Sequence, residues 1–245
     1  MGKQLAALAA LVGACMLAAG CTNVVDGTAV AADKSGPLHQ DPIPVFTSAL
    51  EGLLLDLSQI NAALGATSMK VWFNAKAMWD WSKSVADKNC LAIDGPAQEK
   101  VYAGTGFTWT AMRGQRLDDS IDDSKKRDHY AIQAVVGFPT AHDAEEFYSS
   151  SVQSWSSCSN RRFVEVTFTP GQDDAAWTVA DVVNDNGMLS SSQVQEGGDG
   201  WTCQRALTAR NNVTIDIVTC AYSQPDLVFT AIGIANQIAA KVAKQ

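Results

Sequence analysis

Residues 201–222, WTCQRALTARNNVTIDIVTCAY, decide the fold. Two runs that contain many β-branched residues, Trp201–Arg210 and Val213–Tyr222, flank the dipeptide Asn211-Asn212. Asparagine tolerates a positive φ, so the segment predicts two antiparallel strands joined by a two-residue primed turn.

The turn also determines which residues of the two strands face each other. If Arg210 pairs with Val213, Cys203 lies directly opposite Cys220 at a non-hydrogen-bonded position, where side chains approach most closely. Opposed cysteines at such a position are within disulfide reach, so the register predicts a Cys203–Cys220 bond.

The same register divides the side chains between the two faces of the hairpin. Arg205 and Asp216 share the face of the cysteines and lie diagonally across the two strands. Such a pair either lines a ligand cleft or forms a structural salt bridge. We therefore treat Arg205 and Asp216 as candidate ligand-binding residues.

Cys90 and Cys158 are the other two cysteines beyond residue 21, and elimination pairs them with each other. An even number of cysteines that pair in this way is typical of exported proteins. A zinc site is not predicted, because the cysteines lack the close C-x-x-C spacing that zinc ligands favour.

The periodicity of apolar residues predicts the remaining helices and strands. Helices are expected over 46–64 with Gly65 as C-cap, over 75–85, from the N-cap Thr140 to Trp155, and from about Pro225 to Val242. Strands are expected over 102–112 and 130–138, followed by a meander of 163–169, 176–184, 188–196 and the hairpin. This order predicts an α+β fold with an antiparallel meander in the C-terminal half.

The amino-terminal residues resemble an export signal. Lys3, an apolar stretch and the run Leu17-Ala18-Ala19-Gly20 precede Cys21, which is the pattern of a secretory signal peptide. A cysteine directly after the cleavage site indicates a bacterial lipoprotein signal, since its thiol receives the diacylglyceryl group. We expect residues 1–20 to form the signal peptide and Cys21 to be lipidated.

Residues 21–44 are small, polar and interrupted by Gly and Pro, so they predict a flexible tether with a typical reach of about 25 Å. Residues 45–245 are then expected to form one domain. The lipid on Cys21 would hold this domain at the extracytoplasmic side of the cell membrane.

Charge and motifs exclude several classes of function. The formal net charge is −8, and basic residues do not cluster beyond Lys125-Lys126-Arg127, so nucleic-acid binding is not expected. The sequence lacks G-x-S-x-G, S-x-x-K, H-E-x-x-H and glycine-rich phosphate loops, so we predict no catalytic residue and no cofactor. Paired carboxylates for glycoside hydrolysis leave no sequence pattern, so a cell-wall hydrolase stays open.

An acidic stretch at residues 118–128 contains five aspartates. It lacks the turn glycine and the terminal glutamate of a calcium-binding EF-hand loop. We therefore expect a solvated loop rather than a calcium site, and no metal ligand is predicted.

Several segments resemble one known family of domains. They are WSSC (155–158), WTCQRA (201–206), NNVTIDI (211–217) running on to Cys220, and AVVGFPTA (134–141) leading into Ala144 and Phe147. Together with the spacing of the four cysteines, they are similar to the extracellular sensor domains of the mycobacterial serine/threonine protein kinase H family, over about residues 45–245.

The resemblance implies a highly twisted antiparallel sheet flanked by helices, with two disulfides and a central ligand-binding cleft. Members of the family occur on kinases and as free-standing lipoproteins, and this chain is expected to be one of the latter. The disulfide pairing that the register predicts agrees with the family pattern. The resemblance names no ligand.

The residues and the resemblance lead to one expected function and two alternatives. We expect a lipid-anchored, extracytoplasmic, non-catalytic domain that binds a small polar or envelope-derived ligand in its cleft. The first alternative is a module that docks another envelope protein, and the second is a cell-wall hydrolase.

Overall fold

The computed structural model describes residues 43–104, 106–121, 127–222 and 231–245. Within those ranges nine strands form one sheet: β1 (Lys70–Ala75), β2 (Ala111–Asp118), β3 (His129–Gly137), β4 (Arg162–Glu165), β5 (Ala175–Val179), β6 (Val183–Asp185), β7 (Met188–Gln195), β8 (Trp201–Arg210) and β9 (Val213–Tyr222). The helices there are α1 (Leu50–Leu53), α2 (Leu57–Leu64), α3 (Leu91–Asp94), α4 (Glu99–Gly104), α5 (Ala141–Ser156) and α6 (Ala231–Val242), with 3₁₀ turns at Thr47–Ala49 and Lys88–Cys90.

The strands are ordered β1-β2-β3-β9-β8-β7-β5-β4, and β6 pairs with β7. Every pairing between these strands is antiparallel. The predicted α+β fold is therefore confirmed, and the run β4-β5-β7-β8-β9 confirms the meander in the C-terminal half.

Side chains that alternate along the central strands supply two separate cores. On one face, Ile215 and Ile217 pack with α1, α2 and α6. On the other face, Leu207 and Val218 pack with α3, α4 and α5. Helices thus cover both faces of the sheet, and the two faces of the hairpin are divided as its register predicts.

The hairpin has the predicted register throughout. Arg210 pairs with Val213 and Cys203 with Cys220, while Asn211 adopts a left-handed φ of 51° in the turn. Disulfides join Cys203 to Cys220 and Cys90 to Cys158. Both predicted pairings are confirmed.

Two predicted helix boundaries also depend on local chemistry. Thr140 and Asp143 form a reciprocal capping box at the start of α5, and Gly65 ends α2 with a left-handed φ of 65°. Each supplies partners for backbone groups that a helix end leaves unpaired.

The single helix predicted over 46–64 is wrong, because the chain is extended between α1 and α2. Buried Gln133 accepts a hydrogen bond from the backbone N–H of Leu55 (2.9 Å) and donates one to its carbonyl oxygen (2.9 Å). Asp56 then starts a new helix through a capping box with Gln59. A tertiary contact therefore overrides a continuous apolar stripe.

The helix predicted over 75–85 is also wrong. Backbone groups of this segment bond to other parts of the chain instead: Trp79 pairs with residues 97 and 99, and Ser84 and Ala86 pair with residues 164 and 166. The strand predicted over 102–112 begins only at Ala111, because residues 99–104 form α4 and bury Tyr102 against Phe147, with ring centroids 4.0 Å apart.

Several predictions concern residues outside the described ranges. The signal peptide, Cys21 and almost all of the tether lie there, as do the middle of the acidic stretch and the start of the last helix near Pro225. In the part of the chain that is described, no helix is long and apolar enough to cross a membrane.

Candidate functional site

Four side chains form a row across the sheet on the disulfide face. Tyr130 of β3 lies opposite Cys220, Cys220 lies opposite Cys203, and Cys203 lies opposite Gln193 of β7. All four line a cavity of about 120 Å³. We call these four residues the floor row.

The walls of this cavity come from segments that pack over the floor row. Trp81 and Asp94 come from the connection between β1 and β2, and Glu165 and Trp177 come from β4 and β5. Aromatic rings and carboxyl groups therefore surround one small space, which we call the tryptophan cavity.

The tryptophan cavity adjoins a second, more polar space. Arg127 and Trp201 line both the cavity and a groove of about 250 Å³, whose other walls include Asp199 and Tyr222. The rings of Trp201 and Tyr222 meet edge to face, with centroids 5.0 Å apart. A ligand longer than the cavity could extend along this groove.

Arg205 and Asp216 lie on the same face of the hairpin as the floor row, but neither lines the cavity. Arg205 is 1% exposed and Asp216 is 4% exposed, and Arg205 Nη2 lies 2.7 Å from Asp216 Oδ1. The guanidinium also donates to the carbonyl oxygens of Ala92 (3.0 Å), Ile93 (2.9 Å) and, across the hairpin, Ile217. The predicted diagonal contact between Arg205 and Asp216 thus exists. The remaining hydrogen bonds of Arg205 go to backbone carbonyl groups rather than into the cavity.

The Arg205–Asp216 pair holds the wall segment that carries Asp94. Arg205 binds the two carbonyl groups just before Asp94, and Asp216 Oδ2 accepts a hydrogen bond from the backbone N–H of Ala97 (2.8 Å). Ala97 has a positive φ of 48°, which the contact with Asp216 helps to maintain. Arg205 and Asp216 are therefore positioning residues for this side of the cavity.

Two contacts place Trp81 against the same wall segment. The side chain of Gln98 accepts a hydrogen bond from the backbone N–H of Trp81 (2.8 Å). Gly95 leaves room for the indole ring, since a Cβ at this position would overlap the six-membered ring of Trp81. A residue without a side chain is required here for close packing rather than for backbone freedom.

The carboxyl groups of the cavity sit in an environment that disfavours negative charge. Burial raises the pKa of Asp94 well above its usual value, the negative charge of Glu165 raises it further, and Arg205 opposes both effects. Burial also raises the pKa of Glu165, against a hydrogen bond from Trp177 Nε1 (3.3 Å) and the charge of Arg127. The cavity thus favours the uncharged form of both groups unless a positive charge compensates.

Two hydrogen-bond acceptors that line the cavity have no donor among the described residues: Asp94 Oδ2 and Gln193 Oε1. Asp94 is 7% exposed and Gln193 is 2% exposed. Buried polar atoms are rarely left unpaired, because an unmatched buried acceptor destabilises the fold. Arg113, Gln204, Asn211 and Thr219 also have an unmatched buried atom but do not line the cavity, so Asp94 and Gln193 are the cavity residues whose acceptors a ligand or water could satisfy.

Arg127 is fixed at the boundary between cavity and groove by residues of the acidic stretch and β3. Its guanidinium lies 3.4 Å from buried Asp118 and 4.8 Å from the ring centroid of Tyr130. Asp119 accepts hydrogen bonds from the backbone of residues 128 and 129 and from the ring of His129 (2.7 Å). Both aspartates are thus engaged within the protein, and the described residues contain no cluster that could hold a metal ion.

A larger depression of about 550 Å³ lies between α3, α4 and α5 on the same side of the sheet. Both of its lysines, Lys88 and Lys100, are exposed, and Lys88 Nζ donates to the carbonyl oxygens of Ser82 (2.6 Å) and Val85. No unmatched buried side-chain atom lines it among the described residues. The tryptophan cavity is therefore the stronger candidate despite its smaller volume.

Known proteins resemble this chain in both sequence and structure. The model of the PknH-like extracellular domain family matches residues 45–241. The serine/threonine-protein kinases PknH of Mycobacterium tuberculosis and Mycobacterium bovis are each 35% identical over 203 residues, which is 83% of this chain and 30% and 32% of theirs. The chain thus spans less than a third of the length of these relatives.

A crystal structure of the extracellular domain of PknH from Mycobacterium tuberculosis superposes with a TM-score of 0.73, at 33% identity over 83% of this chain and 99% of that one. The class that these matches define is an extracellular sensor-like domain. This chain belongs to the PknH-like extracellular domain family.

Proposed function

We propose that this protein is a lipid-anchored, extracytoplasmic and non-catalytic sensor-like domain that binds a small polar or envelope-derived ligand. The site is the tryptophan cavity. The observation that carries the proposal is the pair of unmatched buried acceptors, Asp94 Oδ2 and Gln193 Oε1, within an aromatic enclosure.

The construction of the cavity supports binding. Ligand sites are concave, mostly aromatic or apolar, and contain a few fixed polar groups that orient the ligand. The floor row lies on four paired strands, which makes it rigid, and the buried Arg205–Asp216 pair holds the wall segment. Sites built on such scaffolds keep their geometry before the ligand arrives.

Native mass spectrometry of the protein purified from its own host tests the proposal. We expect a co-purifying molecule that the variant Gln193→Leu loses. Gln204→Leu is a matched control, because Gln204 lies next to Cys203 on β8 and projects from the opposite face of the sheet. The proposal would be contradicted if the wild-type protein carries no molecule and if no added small-molecule probe binds in the cavity.

The anchor requires a separate experiment. A membrane-bound wild type and a released Cys21→Ala variant are expected, because a diacylated cysteine with an added acyl chain anchors a protein stably, whereas one chain is marginal. Intact mass spectrometry of the membrane fraction should show the lipid on Cys21. A processed, water-soluble wild type would contradict anchoring but leave the cavity unaffected.

One observation favours the hydrolase alternative. Asp94 and Glu165 share a cavity and both have raised pKa values, as an acid in a glycosidase does. A glycosidase needs one of its two carboxyl groups ionised, whereas burial disfavours the ionised form of both groups here, so binding fits the cavity better than hydrolysis.

The docking alternative is favoured by exposed aromatic side chains on the edge strand β1. Trp72 and Phe73 are 44% and 53% exposed there, beside a register shift that spans Val71 and Phe73. Cross-linking in the envelope should capture a partner through β1 if docking is the function, and a Trp72→Ser/Phe73→Ser variant should lose it. Retained capture in that variant would contradict this alternative.

A further inference from the structure

The two unmatched acceptors of the tryptophan cavity indicate the hydrogen-bonding character of a ligand that binds there. A carboxylate oxygen and an amide carbonyl oxygen accept hydrogen bonds and donate none. No described residue donates to Asp94 Oδ2 or Gln193 Oε1. A ligand that satisfies both while Asp94 is ionised carries at least two N–H or O–H groups at the end that enters the cavity, whereas a protonated Asp94 would itself donate one hydrogen bond.

The charges around the cavity restrict the ligand further. Arg127 is paired with Asp118, and Arg205 is paired with Asp216. Among the described residues, no ion pair includes Asp94 or Glu165. The two cations that face these carboxyl groups are thus already matched, and the two carboxyl groups remain without a partner of positive charge.

Aromatic side chains complete the same pattern. Trp81, Trp177, Trp201 and Tyr130 line the cavity together with the carboxyl groups. The ring of Tyr130 already has Arg116 and Arg127 against it, 5.6 and 4.8 Å from its centroid, so the three indole rings are the ones left for a ligand. Indole rings attract cations, and a partly dehydrated site strengthens that attraction. Acceptors, unpaired carboxyl groups and aromatic rings therefore point to one class of ligand.

We propose that the tryptophan cavity binds a protonated primary amine, either a small molecule or the ammonium end of a longer one whose remainder lies in the groove beside Asp199. This inference rests on the proposed function. The cavity, with a volume of about 120 Å³, admits an ammonium group with two or three carbon atoms.

Binding of the amine is coupled to loss of a proton from the cavity. The cavity without a compensating cation favours protonated Asp94 and Glu165, and an ammonium ion reverses that preference. The displaced proton passes to solvent, so affinity rises with pH. The other groups that face this site are Tyr130, whose pKa is raised to about 12 by burial, and the two arginines, which stay charged over the same range.

The test compares three probes at constant ionic strength: ethylammonium, tetramethylammonium and ethanol. We expect ethylammonium to shift the indole N–H resonances of the full protein with a dissociation constant in the millimolar range, as a ligand of three heavy atoms allows. Tetramethylammonium, which has charge but no N–H group, should bind at least tenfold more weakly, and ethanol should produce no saturable shift. Ethylammonium should bind at least tenfold more tightly at pH 8 than at pH 5.

Variants assign the effect to the cavity. Asp94→Asn should weaken ethylammonium binding at least tenfold and remove most of its pH dependence, and Glu165→Gln should weaken it by a smaller factor. Glu145→Gln, which removes an exposed carboxyl group of α5, is the matched control and should bind as the wild type does.

Two outcomes would overturn the inference. Ethylammonium that binds no better than ethanol, or equally well to Asp94→Asn, excludes an ammonium site. A neutral co-purifying molecule that is lost from Gln193→Leu would then leave the proposed function intact with a different ligand. Failure of all probes together with the lack of a co-purifying molecule would contradict both.

Discussion

Replacing Arg205 with methionine should strongly destabilise the domain while leaving its surface unchanged. The side chain is 1% exposed, forms an ion pair with Asp216 at 2.7 Å and lies 5.0 Å from the ring centroid of Trp155. It also donates to the backbone carbonyl groups of Ala92 and Ile93. Methionine fills similar space but supplies none of these contacts.

The size of the effect follows from what the substitution leaves behind. Removing one partner of a buried ion pair costs about 3–5 kcal/mol, because the other charge stays buried without compensation. Total stabilities of domains are about 5–15 kcal/mol, so Arg205→Met should remove a large part of the stability. Asp216→Leu added to Arg205→Met should recover only part of the loss, because the backbone N–H of Ala97 then lacks its acceptor.

Urea unfolding at neutral pH, with both disulfides oxidised, measures the change. Arg161→Met is the matched control: Arg161 pairs with Asp87 at the surface, and exposed ion pairs contribute about 0–1 kcal/mol. Arg205→Lys should fall between the two, because lysine keeps the charge but cannot reproduce the fork of N–H donors.

A loss below about 1 kcal/mol for Arg205→Met, or a loss equal to that of Arg161→Met, would refute the positioning role. In that case the contacts of Arg205 with Ala92, Ile93 and Asp216 would contribute little to holding the wall segment. A variant that does not fold would leave Arg205→Lys as the informative measurement.

Four further changes have effects that the structure specifies. Replacing Cys90 and Cys158 by alanine should lower the free energy of unfolding by about 4.4 kcal/mol, against about 3.2 for Cys203 and Cys220, because the sequence separations are 68 and 17 residues; equal losses in urea unfolding would count against the chain-entropy account. Asn212→Ala should cost about 2–3 kcal/mol, since this buried side chain binds both backbone groups of Val45 (2.7 and 3.2 Å) and the carbonyl oxygen of Phe138 (2.8 Å); a loss under 1 kcal/mol would show that the amino-terminal segment is held by other contacts. Gly95→Ala should displace Trp81, lower the free energy of unfolding by about 1–3 kcal/mol and abolish binding of ethylammonium. Gly104→Ala, whose Cβ would meet no neighbour, should leave both unchanged. Unchanged indole fluorescence in Gly95→Ala would contradict this. The pKa of Asp94 is raised on folding, so its contribution to stability is present at low pH and is lost as pH rises through the raised pKa. The difference in the free energy of unfolding between Asp94→Asn and the wild type should therefore shift in favour of the variant from pH 5 to pH 8. Parallel pH profiles of the two proteins would refute the assignment.

The sequence predicted best those features that depend on neighbouring residues. The hairpin of residues 201–222 was predicted to the residue, because its turn fixes the register and the register fixes both the disulfide and the diagonal of Arg205 and Asp216. The start of α5 was predicted for the same reason, since Thr140 and Asp143 lie within one turn of helix.

The features that were missed depend on partners far along the chain. The break between α1 and α2 results from Gln133, which is 78 residues from Leu55. The 75–85 segment and Ala86 bond to residues 97, 99, 164 and 166, and within the segment Ser84 and Val85 donate to the carbonyl oxygen of Trp81 in a single turn. Apolar periodicity reports a buried face but not what the backbone bonds to, so both segments were assigned to helices.

The family resemblance implied a cleft, but the residues that line the cavity carried no signal in the sequence. Its floor row is assembled by three separate strand pairings, and Asp94 and Glu165 come from segments without any motif. Arg205 and Asp216 were found because they share one hairpin. Their role as positioning residues depends on the carbonyl groups of Ala92 and Ile93, which lie more than a hundred residues away in sequence.

The Cys203–Cys220 bond lies in the floor of the cavity, and its sulfur-bearing residues are only 3% and 4% exposed. A small thiol that reduces this bond must enter by the path that a ligand would take, since thiolate attack requires direct access to a sulfur atom. Occupancy should therefore protect the bond, and the rate at which dithiothreitol reduces it would report whether the site is filled, without any knowledge of the occupant.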